Sequence, residues 1–228
     1  MTPPAPITLT GPSTVLFDLD GTLIDSADGI LWSFGATLRE FGRPVDETVL
    51  RTFIGPPLDY SFSQLGFGPD EMADVLARYR VHYRDEGVRR CHLYDGVTRL
   101  LEDIADTPVS MGVATAKRVD FAYQILEDLG IDSFFRVVAG ASLDGQLNSK
   151  DVIVANALSR MDLDPAGGWL VGDRRFDVAA AKSHGLTSIG VTWGYGAADE
   201  LRQAGADWLV DHPSDLATLL TGALAHNP

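Results

Sequence analysis

The chain has 228 residues, 45% hydrophobic and 22% charged, enough apolar material for one sizeable domain or a core with a modest insert. Its formal net charge of −14 argues against nucleic-acid backbones and anionic membrane surfaces as partners. Cys91 is the only cysteine, which excludes a disulfide framework and a cysteine-built zinc site. No apolar run approaches 18 residues, and Met1 to Gly11 has neither a basic start nor an apolar h-region, so a cytoplasmic protein is expected. Pro3, Pro4 and Pro6 predict a disordered tail over residues 1–12.

The first strong element is Val15-Leu16-Phe17, an apolar run followed by Asp18-Leu19-Asp20-Gly21-Thr22-Leu23. If the strand continued, Asp18 and Asp20 would crowd on one face. A strand that stops at Phe17, with a turn at Gly21, instead leaves both carboxylates at its carboxyl end, where open α/β sheets bind ligands. Two carboxylates about 4 Å apart repel by roughly 4 kcal/mol at an effective dielectric of about 20, so a cation or a shared proton must relieve them. An EF-hand loop fits poorly, because its glycine position would hold Leu23 and its glutamate position Gly29.

Ser26 is expected to cap a helix with Ile30, Leu31, Phe34, Leu38 and Phe41 on its apolar face, ended by Gly42 and Pro44. A short helix over 46–53, a break at Gly55-Pro56-Pro57 and a weak helix over 58–66 follow. A stronger helix starts at Pro69, with Met72, Val75, Leu76, Tyr79 and Tyr83 on one face. From Asp95 onward helices over 96–106, 121–129, 150–161, 176–184 and 214–224 alternate with strands over 109–114, 135–139, 169–171, 188–192 and 208–210. A further helix separates the last two strands. This alternation predicts a parallel sheet covered by helices on both faces.

Three predicted strands end on polar residues suited to one site: Asp18, Thr115 and Asp173. Asp177 stands one turn into the helix after Asp173 and can face the same crevice. There are only three lysines, Lys117, Lys150 and Lys182, against fifteen arginines, which raises the interest of each lysine. Lys150 opens a helix, a mildly unfavourable place for a cation unless an anion is bound there. Lys117 is expected to be solvated, with a contact to substrate as the alternative. Four carboxylates against Lys150 alone would call for a divalent cation, and oxygen-only ligands favour Mg²⁺.

Asp18-Leu19-Asp20-Gly21-Thr22-Leu23 resembles the first motif of the haloacid dehalogenase superfamily of phosphohydrolases. Gly112-Val113-Ala114-Thr115 is similar to its second motif, Lys150 to its third, and Gly172-Asp173-Arg174-Arg175-Phe176-Asp177 to its fourth, in family order. Val191-Thr192-Trp193-Gly194-Tyr195-Gly196, with Glu200-Leu201 and Ala204-Gly205-Ala206-Asp207, looks like the phosphoglycolate phosphatase and 5′-nucleotidase-like branch. The resemblance runs from residue 14 to about residue 212. It implies an α/β fold with a Rossmann-like parallel-sheet core over 13–25 and 94–228 and an inserted all-helical cap domain over 26–93. The hinges would lie near Asp25-Ser26 and Leu93-Tyr94-Asp95.

By that resemblance Asp18 is the nucleophile, and Asp20 protonates the leaving group and later activates water. Mg²⁺ is held by Asp18, the Asp20 carbonyl and Asp173. Thr115, the Ala116 backbone N–H and Lys150 hold the phosphoryl oxygens at the start of a helix, and Asp177 orients Lys150 or a metal-bound water. The 53–57 loop with Gly55, together with Arg51, is the candidate for substrate selection. The implied function is a Mg²⁺-dependent phosphatase acting on a small phosphorylated metabolite, of the 2-phosphoglycolate or nucleoside 5′-monophosphate type, through an aspartyl-phosphate. A sugar phosphomutase and a non-catalytic binding module are the alternatives. Asp20 speaks against the superfamily's dehalogenases, which lack the second aspartate. The lack of any lysine before Lys117 speaks against its phosphonate-cleaving members, and Gly194-Tyr195-Gly196 lacks the third glycine of a dinucleotide site.

Overall fold

A computed structural model describes residues 11–56, 58–143, 146–161 and 167–225. Most of the expected tail, residues 1–10, and Pro57 of the 53–57 loop lie outside the described residues. At the near end of that tail, Pro12 is buried, and a Cβ built on Gly11 would lie 2.7 Å from Leu224.

The core strands are β1 (Thr14–Phe17), β4 (Ser110–Arg118), β5 (Val137–Ala141), β6 (Trp169–Gly172), β7 (Thr187–Val191) and β8 (Trp208–Val210). Two short strands between them, β2 (Ile24–Asp25) and β3 (His92–Leu93), pair antiparallel. The core sheet has the order β5-β4-β1-β6-β7-β8, and every neighbouring pair in it is parallel. The chain runs outward from β1 through β4 to β5, then returns to β6 on the other side of β1. The order therefore reverses beside β1, where the carboxyl ends of an open sheet leave a crevice. All four residues of β1 are buried. Val15 and Phe17 pack into one apolar cluster and Leu16 into another, as alternation along a strand requires. Each such side chain contributes about 1.5–3 kcal/mol on burial.

Helices cover both faces. The cluster around Leu16 takes apolar residues from α7 (Lys150–Met161) and α8 (Arg175–Ser183). The opposite cluster takes them from α5 (Val97–Ala105), α6 (Val119–Asp128) and α10 (Pro213–Ala225), while α9 (Ala198–Ala204) joins β7 to β8. Among the described residues no helix is long and apolar enough to cross a membrane.

Between β2 and β3 the chain forms an all-helical cap of α1 (Ala27–Glu40), α2 (Glu47–Leu50), α3 (Leu58–Gln64) and α4 (Pro69–Asp85). Phe34 organises its interior, with ring centroids 5.0 Å from Phe62 and 4.9 Å from Tyr79. The β2–β3 ribbon, with Ile24 opposite Leu93 and Asp25 opposite His92, carries both connections to the core.

Three local expectations change. Ser26 precedes α1 but makes no capping bond. Its hydroxyl donates to Asp20 instead, and Asp25 Oδ1 accepts from the Ala27 N–H at 2.9 Å. The second core strand does not stop before Thr115 but runs to Arg118, with a register shift against β5 between Thr115 and Arg118. Helix α6 then begins at Val119, so Thr115 lies in the strand rather than at a helix start. The next strand occupies 137–141 rather than 135–139, because a 3₁₀ turn at Asp132–Phe134 and the Phe135 N–H to Asp132 carbonyl bond take up the residues before it.

Candidate active site

The Asp18 N–H still donates to the Val171 carbonyl of β6 at 2.9 Å, and then the chain turns. The Leu23 and Ile24 N–H groups fold back onto the Leu19 carbonyl at 3.0 and 3.1 Å. Gly21 makes the turn with φ +83°, and a Cβ there would sit 2.3 Å from Asp173 Oδ2. The turn separates the two carboxylates that sequence alone placed together, and each meets its own lysine.

Lys150 Nζ lies 2.7 Å from Asp18 Oδ1 and 2.8 Å from Asp177 Oδ1, and it donates to the Ala114 carbonyl at 2.9 Å. Burial pulls this ammonium toward neutrality, but the Asp177 and Asp18 carboxylates outweigh it and raise its pKa above the usual lysine value. Lys117 is not solvated as expected. Its side chain is only 7% exposed, lies 2.8 Å from Asp20 Oδ1 and donates to the Tyr83 hydroxyl of α4. Burial opposes its charge too, and Asp20 and Tyr83 more than reverse that. The irregular end of β4 puts Lys117 here, as an extra residue in a strand re-aims its neighbours.

Asp173 follows β6 and is fully buried. Its Oδ2 accepts from the Tyr195 and Gly196 N–H groups at 2.8 and 3.3 Å, while its Oδ1 has no hydrogen-bond partner among the described residues. Burial first, then the Asp18 and Asp177 charges, raise its pKa to about 8. Burial also dominates at Asp18, raised to about 6 against the lowering effect of Lys150. Asp177 Oδ2 accepts from the Arg174 N–H at 3.0 Å, which fixes this carboxylate at the head of α8.

Carboxylate oxygens of Asp18, Asp173 and Asp177 all lie within 4.8 Å of one another. An all-oxygen donor set with an unpartnered buried oxygen, Asp173 Oδ1, fits a hard divalent cation. Even with two lysines in place, the four carboxylates keep a formal excess of two negative charges before any phosphate enters. In this set Asp177 supplies the third side chain, while the Asp20 side chain is turned through Oδ1 to Lys117 and Ser26.

Thr115 is buried, two residues beyond Val113, which pairs with Phe17. Its Oγ1 accepts from the Lys117 N–H at 3.1 Å, so Thr115, Ala116 and Lys117 form one tight segment at this edge. Gly55 sits over the core with φ +104°, and a Cβ there would come within 2.0 Å of the Arg174 guanidinium. That guanidinium donates to the Ile54 carbonyl at 3.1 Å and is held by Glu200 at 3.1 Å. Arg51 stands apart from the carboxylates. It lines a cavity of about 470 Å³ with Asp25, Trp32, Arg39 and His92, between α1 and the ribbon.

Sequence reasoning missed three contributors. Ser26 is expected only as a helix cap and a hinge position, and Tyr83 only on the apolar face of α4. Tyr195 was read only as part of a branch signature, yet its hydroxyl accepts from the Ser26 N–H at 2.7 Å and donates to Asp25 at 2.9 Å. For Lys117 the signal was present in the scarcity of lysine.

The haloacid dehalogenase-like hydrolase family matches residues 15–191. Over 189 residues the chain is 42% identical to the tyrosine-protein kinase PtkA of Mycobacterium tuberculosis, covering 82% of this chain and 65%, under two thirds, of that protein. It is 34% identical over 209 residues to a 5′-nucleotidase of Pseudomonas aeruginosa, covering 90% of this chain and 92% of that one. A haloacid dehalogenase-like family hydrolase from Streptococcus pneumoniae superposes with a TM-score of 0.86 at 29% identity, over 91% of this chain and 98% of that one. The sheet order, the carboxylates around its switch point and a family match through most of the sheet agree, and the chain belongs to the haloacid dehalogenase-like hydrolases.

Proposed function

We propose that this chain is a Mg²⁺-dependent phosphatase that hydrolyses a small phosphate monoester, of the 2-phosphoglycolate or nucleoside 5′-monophosphate type. The observation that carries the reading is the division of labour at the end of β1: Asp18 sits against Lys150 among the carboxylates, while Asp20 is held apart by Lys117 and Ser26. A nucleophile and a proton carrier need this separation, because one attacks phosphorus while the other reaches the departing oxygen.

Asp18 attacks phosphorus in line and takes the phosphoryl group as an aspartyl-phosphate, and Asp20 gives a proton to the departing alkoxide oxygen. Asp20 then accepts a proton from the water that attacks the acyl phosphate, which releases phosphate and restores Asp18. Lys150, the Thr115 hydroxyl and the Ala116 N–H hold the phosphoryl oxygens, and Asp177 keeps Lys150 in place. The Asp18 and Asp173 carboxylates and the Asp20 carbonyl would hold Mg²⁺, which would supply neutralising charge for the transferring group. The cap, over residues 26–93 and hinged at the β2–β3 ribbon, excludes water from the first half-reaction. The candidates for substrate selection are the loop at Gly55, which lies against the Arg174 guanidinium, and Arg51.

The test is phosphate release from a panel of alkyl, sugar and nucleoside monophosphates, with Mg²⁺ and with EDTA, by wild type and Asp18→Asn. Metal-dependent release that disappears in the variant supports the reading. Release that survives loss of Asp18 refutes the mechanism, and no release from any ester refutes the phosphatase. The identity with PtkA favours a second reading, phosphoryl transfer to a tyrosine hydroxyl. Radiolabelled ATP with the protein separates the two: label on tyrosine without phosphate release supports transfer, and free phosphate without labelled protein supports hydrolysis.

A further inference from the structure

We propose that Lys117 is a positioning residue for Asp20, and that Tyr83 of the cap sets Lys117, so that Asp20 is aimed only when the cap lies against the core. The inference rests on the phosphomonoesterase reading above and adds to it how the proton carrier is held.

Three elements converge on one oxygen. Asp20 Oδ1 lies 2.8 Å from Lys117 Nζ, at the irregular end of β4, and accepts the Ser26 hydroxyl at 2.5 Å from the cap connection. Two donors from different directions fix the carboxyl plane and leave Oδ2 as the oxygen free to face a departing group. Lys117 in turn donates to the Tyr83 hydroxyl of the cap helix α4, with its Nζ 4.6 Å from the Tyr83 ring centroid. Tyr83 is only 4% exposed and cannot follow a mobile lysine. Its ring stacks on Tyr79 at 6.1 Å and meets Phe121 of α6 edge-on at 5.2 Å.

A flexible ammonium is here anchored at both ends of its reach, by a cap tyrosine and by the acid. Lifting α4 away would remove the tyrosine, let Lys117 swing and release Oδ1. A cation needed only to balance charge would require no such tie, since Lys150 already stands among Asp18 and Asp177.

A residue that acts through Asp20 matters in proportion to how much the leaving oxygen needs a proton. An alkoxide needs one, whereas p-nitrophenolate departs as a stable anion. The value of kcat/KM reports every step through that departure, so the alkyl-to-aryl ratio of kcat/KM isolates the aim of Asp20 from binding and from overall integrity.

The experiment measures kcat/KM with Mg²⁺ for p-nitrophenyl phosphate and for the alkyl monoester of the panel hydrolysed fastest, 2-phosphoglycolate being tried first. Lys117→Met should lower the alkyl-to-aryl ratio by roughly tenfold or more, a fraction of what positioned proton transfer contributes. Lys117→Arg, which keeps a charged donor, should recover part of the ratio. Tyr83→Phe removes one hydroxyl and leaves the ring packing, so it should lower the ratio in the same direction by a smaller factor; it carries the test if Lys117→Met does not fold. An unchanged ratio, or equal losses on both esters, overturns the proposal and leaves Lys117 a tie between cap and core. Wild-type protein that releases phosphate from no ester overturns the phosphatase reading and this proposal with it.

Discussion

Replacing Asp173 by asparagine tests the electrostatics of the crevice most directly. The carboxyl is fully buried, with its pKa raised by burial from an ordinary value of 3.8 to about 8, and Asp18 is raised to about 6. A carboxyl that holds its proton more tightly in the folded state contributes stability that is complete below about pH 4 and is lost as pH rises through the folded pKa. The metal-free protein should therefore lose stability between about pH 5 and pH 8.5, against the direction of ordinary acid unfolding. A shift of about four units sets an upper limit of about 5–6 kcal/mol, and relaxation with water entry into the crevice reduces it to about 2–3 kcal/mol. For a chain of this size that is a fall of about 5–10 °C in Tm. Asp173→Asn keeps the shape and an acceptor for the Tyr195 and Gly196 N–H groups but removes the charge. Melting curves in EDTA across that pH range should show a flatter decline in the variant, and added Mg²⁺ should raise Tm only in wild type. A wild-type curve that is level or climbs over the interval, or a variant with the wild-type slope, refutes the reasoning.

Two further substitutions probe the same carboxylates. Lys150→Met leaves buried Asp18 and Asp177 without their ammonium and should destabilise the metal-free protein by about 3–5 kcal/mol at pH 8, read by urea unfolding. Gly21→Ala forces a positive φ on an L-residue and drives a Cβ toward Asp173, so it should cost about 1–3 kcal/mol and weaken Mg²⁺ binding, measured by calorimetric titration.

What could be read from the sequence was local. The run Val15-Leu16-Phe17 and the Gly21 turn lie within a few residues, so the strand end and the turn after it followed from pattern alone, while the separation of Asp20 from Asp18 did not. The bounds of α7, from Lys150 to Met161, came out residue for residue. Properties that depend on distant partners did not. The end of β4 is set by its pairing with β5, and propensity gives no sign that Thr115-Ala116-Lys117 remains in the sheet. Ser26 has the chemistry of a helix cap, and only the approach of Asp20 diverts its hydroxyl.

Lys117 shows the limit most clearly and also changes the electrostatic argument. Sequence set one lysine against four carboxylates and inferred a cation for the site as a whole. The fold assigns Lys150 to Asp18 and Asp177, and Lys117 to Asp20, so three of the four carboxylates already have an ammonium within 2.8 Å. Asp173 is the one left with backbone N–H groups on one oxygen and, among the described residues, no hydrogen-bond partner on the other. Asp173 is thus the carboxyl without a compensating ammonium, and a divalent cation would fit that side of the crevice rather than the Asp18–Asp20 pair that first suggested it.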